Sequence, residues 1–160
     1  MKALAFTVAG ALGLKLWLRD AGVEQLQWLL KPTVLLSEVL SQTPFRFEAG
    51  VGYLDPTQTF QVVPACSGLN FFCIAVVSAV ALFRQRVVSQ PLLVAASGVG
   101  AFALTVLANA LRITLAMAVH LHHVSFGWLT APRLHEAIGV LVYLSMLVLA
   151  TQLLNRRVPA

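Results

Sequence analysis

Three residues of this chain combine a reactive type with surroundings suited to acyl chemistry. Cys66 stands in Pro64-Ala65-Cys66-Ser67-Gly68, at the start of an apolar run. Unpaired N–H groups and the dipole at a helix N-terminus favour negative charge, so a thiol there is a candidate nucleophile. Arg112 lies in Leu107-Ala108-Asn109-Ala110-Leu111-Arg112-Ile113. A guanidinium in that setting can hold a carboxylate or a developing oxyanion. His135 opens Leu134-His135-Glu136-Ala137-Ile138-Gly139. An imidazole can take a thiol proton and later deliver it to a leaving amine.

Taken singly, each has a plainer reading. Cys66 would be a small buried apolar residue, Arg112 a snorkelling side chain, and His135 a histidine at the water boundary. Around them, Thr105, Asn109 and Arg112 follow a helical spacing that puts them on one face, and that face should look inward. An ionisable group at the bilayer centre costs roughly 3 kcal/mol on insertion scales, so such a stripe needs a protein partner. Gly139, one turn after His135, would let another helix come close. Arg133 and Glu136 are placed to orient His135, and equally suit a solvated helix start. Cys73 sits mid-run among Phe and Ile and reads as a packing residue. On one helix its Cα would lie about 10 Å from that of Cys66, too far for a disulfide. His120, His122 and His123 suggest an interfacial polar rim rather than a metal site, since no carboxylate or thiol joins them in sequence. No cofactor is called for.

Membrane helices must position these groups. Of the 160 residues, 59% are hydrophobic and 11% charged, with mean hydropathy +0.84. A soluble domain carries about 25% charged residues to keep its surface wet, so lipid is the solvent for much of this one. The net charge of +5 comes from scattered Lys and Arg beside apolar runs, which are membrane anchors and not a nucleic-acid-binding stripe. Apolar runs at 3–18, 23–43, 68–83, 91–108 and 135–153, with a further stretch at 110–121, are near the ~20 residues a helix needs to cross ~30 Å of hydrocarbon. The expectation is one domain over 1–160: an all-α polytopic transmembrane bundle of about five spans.

Arg84 and Arg86 after the third run, and Arg156 and Arg157 after the fifth, mark a cytoplasmic side. Cys66, Arg112 and His135 then share the extracytoplasmic face. For the first two runs, the favoured reading sets Lys15 and Arg19 inside and makes 23–43 a span. The alternative keeps Lys2 inside and lays 23–43 along the surface, because Lys31-Pro32 interrupts it; a cleaved signal peptide lacks a clear cleavage site. Between residues 45 and 63, alternating Phe and polar residues with Asp55-Pro56 predict a short extracytoplasmic hairpin or loop before Cys66.

PACSGLNFF, NALRI and HEAIG, in that order and on one face, resemble the exosortase/archaeosortase family, and the length resembles its compact branch called exosortase K. The match covers the C-terminal two-thirds. The resemblance implies Cys66 as nucleophile, Arg112 as electrostatic partner and His135 as acid–base group, with Asn109, Gly68, Ser67 and Glu136 in support. It implies a cysteine transpeptidase or protease of the cell (inner) membrane. Its partners would be membrane-anchored proteins with a C-terminal sorting signal of short motif, transmembrane helix and basic cluster. A non-enzymatic membrane scaffold or small transport subunit is the competing class.

Overall fold

In hydrocarbon every backbone N–H and C=O must find a partner inside the protein, and helices satisfy that need locally. The computed structural model describes residues 2–57, 59–84, 89–121 and 131–157. It has five α-helices: α1 (Lys2–Trp17), α2 (Gln27–Ser41), α3 (Leu69–Phe83), α4 (Gln90–Leu121) and α5 (Ala131–Arg157). Among the described residues, three segments are long and apolar enough to cross a membrane, namely Pro64–Phe83, Gln90–Leu121 and Arg133–Leu153. The architecture is an all-α membrane bundle. At 16 and 15 residues, α1 and α2 are shorter than the ~20 residues of a full crossing.

The runs 91–108 and 110–121 prove to be one helix of 32 residues. Nothing between Ala108 and Ala110 breaks it, and Pro91 falls at its start, where a missing N–H is harmless. At ~1.5 Å per residue α4 is about 48 Å long, so its last turns reach beyond a ~30 Å hydrocarbon layer. It is the central post, contacting α2, α3 and α5.

The other helices order themselves along it. Ala3 of α1 packs with Val80 and Leu93, while Leu18 packs beside Cys66. The Cys73 thiol lies 3.7 Å from the Ala11 carbonyl oxygen, to which it donates. Helix α1 is thus antiparallel to α3, and Lys2 shares an end with Arg84. This corrects the arrangement that grouped Lys15 and Arg19 with Arg84. The cause is packing: small residues of α1 lie along α3, and that contact outweighs the weak charge signal. Trp28, at the start of α2, stacks on Phe102 (6.2 Å, 17°) and meets Phe72 edge-on (5.5 Å, 80°). From that mid-depth start α2 follows the upper part of α4, burying Leu29, Leu30, Thr33, Val34 and Ser37.

The segment before Cys66 is more ordered than a simple hairpin. Strands β1 (Arg46–Glu48), β2 (Gly52–Leu54) and β3 (Gln61–Val62) form an antiparallel sheet in the order β1-β2-β3. Phe47 faces Tyr53, and Tyr53 faces Val62. Carboxylates fasten the sheet to the helical part. Glu38 Oε1 accepts from the Phe45 amide at 2.6 Å, and Glu24 Oε1 from the Gly50 amide at 2.9 Å. Asp55 accepts from the amides of Phe60 (2.8 Å) and Thr57 (3.2 Å) and from the Thr57 hydroxyl. Burial opposes its ionised form, but these bonds prevail and hold the carboxyl below its ordinary range. Tyr53 and Val62 then join Leu30, Val34, Ile113 and Met117 in a core that includes Cys66.

Candidate active site

From β3 the chain enters a short 3₁₀ turn, Pro64–Cys66, which delivers the cysteine. Cys66 lies just before α3 rather than in its first turn. Its amide donates to the Val63 carbonyl at 2.7 Å, and Ser67 N to the Pro64 carbonyl at 3.0 Å. Gly68 caps α3 with φ +73°, the left-handed region where a Cβ is costly. A Cβ there would also meet Thr105 Cγ2 at 3.1 Å. Glycine therefore serves twice, turning the chain and letting it press against α4. Ser67 is buried, and its Oγ accepts from the Leu69 amide at 3.4 Å, so it closes the opening of α3.

The stripe on α4 faces inward, as its spacing requires. Thr105, Asn109 and Arg112 are all buried. Asn109 is the hub. Its Nδ2 donates to the Cys66 carbonyl, while its Oδ1 accepts from Arg112 Nε at 3.1 Å and from the Tyr143 hydroxyl at 2.8 Å. These partners settle which way the amide points.

Helix α5 supplies the other wall. Arg112 Nη1 and His135 Nε2 are 2.9 Å apart. Arginine can only donate, so Nε2 accepts and the imidazole is neutral with its proton on Nδ1. The Cys66 thiol stands near enough to this pair for both His135 and Arg112 to act on it. Gly139 is where the arginine crosses, since a Cβ there would meet Arg112 Cδ at 3.3 Å. Arg112 Nη2 is buried and, among the described residues, without a hydrogen-bond partner. An unmet donor on a cation is costly to bury and is ready to donate to an anionic oxygen.

Cys66, Asn109, Arg112 and His135, chosen from sequence, thus come together at one end of the bundle. Gly68 and Ser67 shape the turn beneath the thiol. Glu136 is exposed and, among the described residues, makes no hydrogen bond to His135. His120 is exposed near the end of α4, while His122 and His123 lie outside the described residues. Among the described residues no group of three or more His, Cys, Asp or Glu is gathered to hold a metal. Tyr143 was not anticipated. Its signal was a phenol amid an otherwise aliphatic stretch, spaced eight residues after His135 on the same helical face.

A family model described as Transmembrane exosortase (Exosortase_EpsH) matches residues 3–151. The chain belongs to the transmembrane exosortase family. No curated protein and no solved structure matches it. For this exosortase family member the matched region takes in α1 through nearly all of α5, so every residue of the cluster falls within it.

Proposed function

We propose that this exosortase is a membrane-embedded cysteine transpeptidase or protease acting on C-terminal sorting tails of exported, membrane-anchored proteins. The observation that carries the reading is the meeting of a thiol, an unsatisfied guanidinium nitrogen and a neutral imidazole from three separate segments. Groups of this kind, brought together, serve acyl transfer. The site is assigned to the extracytoplasmic side of the cell (inner) membrane by the family resemblance together with Lys2, Arg84, Arg156 and Arg157 at the opposite end, which are set against Lys15 and Arg19 at its own. A non-enzymatic scaffold or transport subunit would keep its function in Cys66→Ala, which the enzyme reading does not allow.

In the resting arrangement Arg112 occupies the one basic nitrogen of His135. A scissile carbonyl that engages the guanidinium frees Nε2 to accept the Cys66 proton. The thiolate then forms a C–S bond, and the carbonyl π electrons move to oxygen, where Arg112 stabilises the charge. On collapse the C–N bond breaks and the His135 proton goes to the leaving amine, which departs with the helical tail. The remaining thioester is attacked by an amine, giving transfer, or by water, giving hydrolysis; His135 takes up the attacking group's proton and returns it to the Cys66 sulfur.

The test is co-expression with a protein ending in a short motif, an apolar helix and a basic cluster, followed by mass spectrometry of its new C-terminus. An adduct identifies transfer and a free carboxylate identifies hydrolysis. A tail that persists, or one removed equally well by Cys66→Ala, overturns the proposal.

A further inference from the structure

Arg112 is a long, flexible side chain, yet the site needs its guanidinium in one place. His135 holds only Nη1, and Asn109 only Nε. The remaining restraint comes from α5. His135, Gly139 and Tyr143 recur at intervals of four, so one stripe of α5 lies along the arginine. His135 meets its tip and Gly139 makes room at Cδ. The Tyr143 ring stands 5.8 Å from Cζ, within the range of a cation–π contact. That ring also stacks with Phe71 of α3, centroids 4.6 Å apart and 15° from parallel. Its hydroxyl donates to Asn109 Oδ1 at 2.8 Å. An amide oxygen has two lone pairs, and here Arg112 and Tyr143 take both. Flipping the Asn109 amide would set its NH₂ against two donors.

We propose that Tyr143 is a positioning residue of the cysteine site, holding Arg112 by its ring and Asn109 by its hydroxyl so that the guanidinium stays beside the Cys66 thiol. The proposal rests on the cysteine reading above, but its geometry stands apart from any substrate. Among the described residues, the charged and titratable groups acting on Cys66 are Arg112 from α4 and His135 and Tyr143 from α5. A cation fixed nearby raises the fraction of Cys66 present as thiolate at neutral pH.

The experiment measures alkylation of Cys66 by iodoacetamide from pH 6 to 9.5 in the full-length protein, resolving Cys66 and Cys73 by mass spectrometry. Tyr143→Phe keeps the ring and loses the hydroxyl, and should slow Cys66 alkylation at pH 7 by about three- to tenfold. Tyr143→Leu loses both and should slow it by tenfold or more. In each case the gap closes near pH 9.5, where the thiol ionises regardless, and Cys73 reacts as in the parent. A parental rate in Tyr143→Phe at every pH overturns the proposal. So does a change of equal size at every pH, which would report access alone. No peptide substrate enters the assay. A protein that never cleaves a sorting tail, yet shows the pH-dependent Tyr143 effect, overturns the reaction and upholds the positioning role.

Discussion

The two thiols of this chain lie seven residues apart beside the same helices, in regions built differently. Around Cys66, long side chains cross between helices: Arg112 from α4 and Tyr143 from α5, with Phe71 of α3 against the tyrosine ring. They fill the gap and bring polar atoms that must satisfy one another. Deeper along the same helices, past Cys73, the facing residues are Ala75, Ala79, Gly100, Ala101, Leu104 and Ala150. There the helices leave an apolar cavity of about 790 Å³. One region is crossed by polar side chains that bond to one another, and the other is lined by apolar ones, from Ala75 and Gly100 to Leu82 and Phe83. Among the described residues, Cys73 bonds to the Ala11 carbonyl alone.

The sharpest break in this comparison comes from exchanging the thiols. Cys66→Ala should lower tail cleavage on the order of 10⁴-fold or more, because nothing else in the site can carry the acyl group. Cys73→Ala should leave the rate near parental. Equal losses in the two variants would erase the distinction between the regions. Arg112→Lys comes next. It keeps the charge but not the planar fork that spans Asn109 and His135, and a cleavage rate lower by roughly 10²-fold is expected. Full activity would remove the guanidinium from the chemistry.

Gly139→Ala probes crowding with no change of charge. The added methyl presses on Arg112 Cδ and should reduce turnover roughly tenfold while melting temperature stays close to parental. A large fall in melting temperature with unchanged turnover would show that Gly139 serves stability alone. The smallest effect belongs to the sheet. Asp55 has its carboxyl held below the ordinary range, so its ionised form stabilises the fold above that range. The contribution disappears as pH falls through its lowered value. Asp55→Asn should therefore melt lower than the parent at pH 7, and the difference should shrink toward pH 3. A difference independent of pH would assign Asp55 a packing role only.

Much of this was legible beforehand. The helices at 3–18, 68–83 and 135–153 were readable because long apolar runs have few alternatives in lipid. Thr105, Asn109 and Arg112 were assigned to an inward face by their spacing, and the structure buries all three. Less legible was the continuity of α4, since residues 91–121 look like two runs when a ~20-residue span is assumed. Strand β3 is only two residues long, too short for an alternation signal to separate it from a loop. The direction of α1 is not legible in the sequence, because Lys2, Lys15 and Arg19 offer conflicting charge cues, and its contact with α3 sets it.

By itself the amino-acid order determined the solvent of this protein and singled out the side chains able to do chemistry. Scarce charge demands lipid, and polar residues repeated at helical intervals demand a shared interior face. Only the tertiary structure decided that Tyr143 meets Asn109, that Gly139 faces the arginine stem, and that α1 runs against α3. Those facts depend on the depth and rotation of one helix against another. Local periodicity leaves both free, and packing between distant residues sets them.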